Sequence, residues 1–117
     1  MSDFDPSTLA HTLFEHGRDW ADKNASADLL EETRRTLRSQ IAVGLLPECK
    51  SVAKAEMHAE ATEEYIDHIK AMVEARKAAN TARVQYDADR AFIDLLRSQE
   101  SSRRTEMQLG GRHPKNI

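Results

Sequence analysis

The sequence predicts an all-α protein, and three observations carry that prediction. From Glu48 to Leu109 there is no glycine and no proline, and alanine, glutamate, arginine and lysine fill much of the run. These residues have the best helix propensities, so nothing but helix suits the stretch. Aromatic residues make up 5% of the chain and charged residues 32%, which favours slender helices packed closely over a globular core rich in rings. Apolar residues recur at three- and four-residue spacing through most of the chain, the period of a helix face. The expected architecture is two short N-terminal helices, 6–22 and 27–44, packed on one long C-terminal helix, 47–107, in a single domain over 1–109.

The first helix opens at Asp5-Pro6, an N-cap followed by proline at the first helical position, where its missing N–H costs nothing. Leu9, Leu13, His16 and Trp20 form one narrow apolar stripe. Gly17 weakens this helix, and Asp22-Lys23-Asn24 is expected to end it. Asn24 or Ser26 then caps a second helix carrying Leu30, Thr33, Leu37 and Ile41 on one side, with Leu45 just beyond. Gly44 suits a left-handed helix terminus and Pro47 the first turn of the next helix, so a boundary is expected at 44–47.

The long segment carries two stripes. Ala55, Ala59, Thr62, Ile66, Ile69, Val73, Val84, Ala88, Ala91 and Leu95 fall on one broad face, interrupted by Arg76, Lys77 and Asn80. Roughly opposite, Ala71, Ala75, Ala78 and Ala82 lead to Tyr86, and such a seam lets another helix approach closely. A helix apolar on two faces needs two neighbours. The N-terminal helices cover one, and the other is expected to meet a second copy or a partner, so the seam residues are the candidate oligomer contact. The alternative is a break near Asn80 that folds the long helix into a four-helix bundle. Gly110 to Ile117 is expected to form a flexible polar tail.

Charge is unevenly spread. Residues 1–32 hold eight acids against Arg18 and Lys23, whereas Arg97, Arg103, Arg104, Arg112 and Lys115 make the C-terminal end basic. Those five bases are the candidate contacts for nucleic acid, since they would neutralise phosphates whatever the sequence. The acidic overall charge of −3 and the lack of a recognition motif favour a protein partner over nucleic acid.

Nothing in the sequence points to catalysis, a metal or a cofactor. Five histidines are present, and His11 with Glu15 and Glu64 with His68 stand at i, i+4, but neither Glu-x-x-His nor His-Glu-x-x-His occurs. His16, on the apolar stripe, is read as a half-buried, hydrogen-bonded side chain, and Trp20 as core. The single Cys49 forms no intrachain disulfide and sits at the start of the expected long helix, near its positive dipole end. No apolar run approaches the length of a membrane span, and a cytoplasmic location is expected.

The segment from Ala82 to Met107, ARVQYDADRAFIDLLRSQESSRRTEM, resembles the C-terminal part of small helical proteins encoded by phages and prophages, whose long helix also closes on an arginine-rich stretch ending in Glu-Met, here Glu106-Met107. The resemblance extends from about Val52 onward. It implies a small non-catalytic accessory protein, such as an inhibitor or modulator of host machinery, and assigns no functional residue.

Overall fold

The computed structural model describes residues 5–111 and contains three helices, with no strand among them: α1 (Pro6–Cys49), α2 (Val52–Glu60) and α3 (Glu63–Gly111). α1 runs out and turns back at Lys50-Ser51. α2 and α3 then return antiparallel along it, making a rod of 97 × 23 × 15 Å. The all-α class and a C-terminal helix longer than the others hold, with the N-terminal part of the chain packed on it.

The helix boundaries fall elsewhere than expected, each for a local reason. At the start, Asp5 is the N-cap, its carboxylate accepting from the Ser7 N–H at 3.1 Å. The expected end at 22–24 does not occur, and 6–22 and 27–44 are one helix. Asn24 does not turn inward to cap, because its side-chain oxygen accepts from Arg76 Nη1 of α3 at 2.7 Å. Ala27, fully buried, continues the contact face one turn later.

The boundary at Gly44–Pro47 is also overridden. α1 passes through both residues, and Pro47 lies inside the helix. Proline removes one backbone hydrogen bond from the ladder, yet Ile41, Leu45, Leu46 and Cys49 pack against the small cluster of Ala42, Ala55 and Ala59, and that packing holds the last turn in place. The helix stops at Lys50, in the left-handed region at φ 61°, whose N–H donates to the Leu46 carbonyl at 2.8 Å. Ser51 then caps α2 through a 3.4 Å bond from Lys54 N–H.

The long C-terminal helix is interrupted after all, but not at Asn80. The break lies at Ala61-Thr62. There the Ala61 and Thr62 amides tighten onto the His58 and Ala59 carbonyls, both at 3.1 Å. The Thr62 hydroxyl donates to the Ala59 carbonyl at 2.6 Å and accepts from the Tyr65 N–H at 3.3 Å, capping α3. Asn80 lies within continuous α3, so the four-helix alternative is not formed. α3 extends to Gly111, past the expected end at 107 and the expected tail start at 110; residues 112–117 lie outside the described residues.

The α1-facing side of α3 has a seven-residue repeat. Tyr65, Met72, Ala79, Tyr86 and Ile93 form one row, and His68, Ala75, Ala82, Asp89 and Leu96 the other; all are buried or half-buried. Leu13, Trp20, Ala27 and Ile41 answer at the same spacing on α1. This is an antiparallel coiled-coil hairpin. Its core is thin: the buried residues are six alanines and Tyr65, and no large side chain is fully buried.

Candidate interaction surface

The side of α3 turned toward α1 fixes the register of the hairpin through polar contacts. Arg76 is the hub. Its Nε and Nη2 donate to the two Glu31 oxygens at 2.8 and 2.9 Å, Nη2 also to Asp28 at 2.6 Å, and Nη1 to Asn24. Asn24, Asp28 and Glu31 lie four and three residues apart, so continuous α1 presents them as one fork-shaped acceptor. The hydrogen bond from Arg76 holds the Glu31 carboxyl below the ordinary glutamate range, and Glu31 and Asp28 together raise the Arg76 guanidinium further above its usual value. Part of the acidic head is thus satisfied by Arg76, not by the basic end of the chain.

Three more contacts extend this ladder. His16, read from the sequence as a half-buried hydrogen-bonded side chain, donates from Nδ1 to Asp89. His68 donates from Nε2 to the Leu30 carbonyl at 2.8 Å, so it is an interhelical link and not a surface companion of Glu64. Arg38 donates to Glu60 at 3.0 Å, which raises its own pKa. Near His16, Gly17 leaves room for the Tyr86 ring, which stacks obliquely on Trp20 at a centroid distance of 5.6 Å and lies under Arg90 at 5.9 Å.

The structure divides the candidate alanine seam. Ala82 is buried, and Ala75 and Tyr86 are half-buried against α1, while Ala71 and Ala78 are exposed. Ala79, absent from the predicted seam, is 1% exposed and sits at the centre of the contact. Much of the seam is therefore used within the chain. Cys49 ends α1 and packs on the alanine cluster, so the helix-start environment expected for it is not there.

What remains outward is the α3 part of the other stripe, since Ala55 and Ala59 are buried in the alanine cluster and Ile69 is half-buried. Ile66, Val73, Val84 and Leu95 are 41%, 55%, 62% and 54% exposed, and Ala88 and Ala91 are exposed between them. Lys77 and Asn80 occupy the middle, in a shallow groove of about 520 Å³ whose lining includes Met72, Val73, Thr81 and Val84. Toward the start of α1 a second groove, about 810 Å³, runs between Leu9 and Leu13 of α1 and Ile93 and Leu96 of α3, bordered by Arg97, Arg103 and Arg104. Those three arginines are exposed; Arg104 approaches Glu100 at 3.7 Å, and the others make no ion pair among the described residues. Arg112 and Lys115 lie outside the described residues.

The sequence shows both apolar faces but sets the oligomer contact on the alanine seam, which α1 largely covers, and not on the stripe that stays outward; it also misses the Arg76 hub, taking Arg76 as part of a polar gap. The signal was present in Asn24, Asp28 and Glu31, whose spacing becomes one face only when the helix is continuous through 22–27. Among the described residues, no group of three or more metal-ligating side chains converges, and no helix is long and apolar enough to cross a membrane. No protein family, curated protein or solved structure matches the chain.

Proposed function

We propose that this chain is a non-enzymatic helical interaction protein that self-associates through the outer face of α3 and, so assembled, binds a protein partner. One observation carries the reading: Ile66, Val73, Val84 and Leu95 stay exposed in one line along a hairpin whose own core buries almost nothing larger than alanine. A monomer with so thin a core gains by covering that line, and contiguous exposed apolar surface marks interaction sites. The resemblance to phage-encoded accessory proteins supports a role as a modulator of host machinery, acting in the cytoplasm of the host.

The test compares the wild-type chain with Ile66→Ser/Leu95→Ser. Self-association and capture of a defined host protein should both be lost in the variant, with helicity unchanged because both sites are exposed. Retention of both would refute the reading.

A second reading, a nucleic-acid-binding accessory factor, is favoured by the exposed Arg97, Arg103 and Arg104. It requires retardation of DNA or RNA at low salt, with Arg103→Ala/Arg104→Ala lowering both affinity and its salt dependence. The interaction reading expects no retardation.

A further inference from the structure

The outer stripe of α3 has a property that its hydrophobicity alone does not require. Val73, Val84 and Leu95 recur every eleven residues, with the half-buried capping residue Thr62 one repeat before α3's Val73, as do Ile66, Lys77 and Ala88, and half-buried Ile69 with exposed Asn80 and Ala91. An eleven-residue repeat stays closer to the period of an undistorted helix than a heptad does, so the line runs nearly straight along α3. The spacings read the same in both directions from a point between Ala78 and Ala79. Reversing the helix about that point places Thr62 on Leu95, Ile66 on Ala91, Ile69 on Ala88, Val73 on Val84 and Lys77 on Asn80.

We infer that the occupant of this face is a second copy of the chain, packed antiparallel about a two-fold axis at the level of 78–79. The inference rests on the interaction reading above and specifies its self-association. Three features single out this occupant and this register. First, each apolar layer pairs a larger side chain with one that is smaller or equal, so the layers fill evenly, as close packing requires. Parallel pairing would set Ile66 on Ile66 and leave Ala88 on Ala88 and Ala91 on Ala91, alternately crowded and empty. Second, the polar centre is self-complementary only when antiparallel. Lys77 then meets the amide oxygen of Asn80 of the partner subunit, whereas parallel chains would set two ammonium groups together. An isologous contact of this kind is the usual one in dimers. Third, sliding the register by one repeat would place Lys77 against Ala91 and shorten the apolar overlap.

Two other features leave the face free to pair. Arg76, the remaining cation of the polar centre, borders the groove with its charge already compensated by the Asn24, Asp28 and Glu31 fork on α1. The groove around Lys77 and Asn80 is shallow and open. From Thr62 to Leu95 the face is about 50 Å long at ~1.5 Å per residue. With a contact width of ~10 Å it covers about 500 Å² on each copy, so about 1,000 Å² in all, the lower bound for a specific interface. The dimer should therefore dissociate reversibly on dilution.

Charge exchange tests the register. Val73→Lys and Val84→Glu are made singly and together, and the mass in solution is followed by sedimentation equilibrium from about 5 to 500 μM, a range spanning micromolar affinities. Far-UV circular dichroism checks that each variant keeps its helicity; both sites are exposed in the hairpin. The wild-type chain should approach twice its 13.2 kDa with rising concentration. Each single variant should remain monomeric over the same range, dimerising at least tenfold less tightly. An equimolar mixture of the two should recover the dimer, and so should the double variant, because Lys at 73 then faces Glu at 84 of the partner subunit. In a parallel dimer the double variant would set like charges together and stay monomeric.

A wild-type chain that is monomeric throughout would overturn the inference while leaving protein-partner binding to be decided by capture. Dimerisation that survives both single changes, or a double variant that stays monomeric, would overturn the antiparallel register. Loss of partner capture with the dimer intact would instead count against the broader interaction reading.

Discussion

Replacing Gly17 by alanine sets two effects of known sign against each other. In the middle of a helix glycine is worse than alanine by about 0.5–1 kcal/mol, so the change should stabilise if nothing opposes it. At position 17 something does. A Cβ built there lies 2.9 Å from Tyr86 Cε1 and 3.3 Å from Cδ1. Ordinary contact begins near 3.4 Å, so the ring must retreat by roughly half an ångström. The ring is rigid, and its other neighbours are Trp20 and Arg90. Forced overpacking of this kind costs about 1–3 kcal/mol. The net effect should be a loss of about 1 kcal/mol, with an upper limit of about 2.5 kcal/mol.

Gly44 is the internal control. It lies in the same helix, and nothing stands within 4 Å of its would-be Cβ, so Gly44→Ala should gain the full propensity term of about 0.5–1 kcal/mol. Thermal unfolding followed at 222 nm would resolve the pair, because 1 kcal/mol moves the midpoint by roughly 4 °C for a domain of this size. The two variants should move in opposite directions. Adding Tyr86→Ala should abolish the penalty at 17, measured as a coupling of about 1 kcal/mol or more in a double-mutant cycle. If Gly17→Ala stabilises as much as Gly44→Ala, the ring does not pack on position 17 and the hairpin has another register.

The α1 terminus gives a second prediction: Lys50→Gly should stabilise by about 1 kcal/mol in urea unfolding, since Lys50 holds a left-handed conformation that glycine adopts without strain. The Arg76 fork predicts a specific response to acid. Glu31 has a lowered pKa in the folded chain, so its contribution is complete above the ordinary glutamate range and is lost as the pH falls through the depressed value. Stability should therefore decline from pH 6 toward pH 3, and Glu31→Gln should flatten that part of the profile; an unchanged slope would remove Glu31 from the account. The division of the alanine seam is testable by size: Ala82→Leu should cost about 1–3 kcal/mol by overpacking against α1, whereas Ala78→Leu should change stability by less than about 0.5 kcal/mol. Equal effects on unfolding would mean that the two residues share one environment.

The helical class, the Asp5-Pro6 start and the presence of two apolar faces on the C-terminal part were legible in the amino-acid order. Those properties follow from propensity, capping chemistry and period, which act within a few residues of one another. The amino-acid order also showed Ile66, Val73, Val84 and Leu95 as one apolar line, because a stripe needs only the helix to be visible, but not that this line faces outward. Where helices end was another matter. Gly44, Pro47 and Asn24 are sound stop signals in isolation, each worth from a few tenths of a kcal/mol to about 3 kcal/mol. Packing over a long hairpin outweighed them: Leu45, Leu46 and Cys49 sit on the alanine cluster, and Asn24 is held by Arg76 from more than fifty residues away. The interruption at Ala61-Thr62 carried no glycine or proline to announce it and rests on one threonine hydroxyl. Which alanines face inward was settled by packing against α1, since two apolar faces look alike until one is covered. The Arg76 fork likewise came into being only when continuous α1 brought Asn24, Asp28 and Glu31 onto one side.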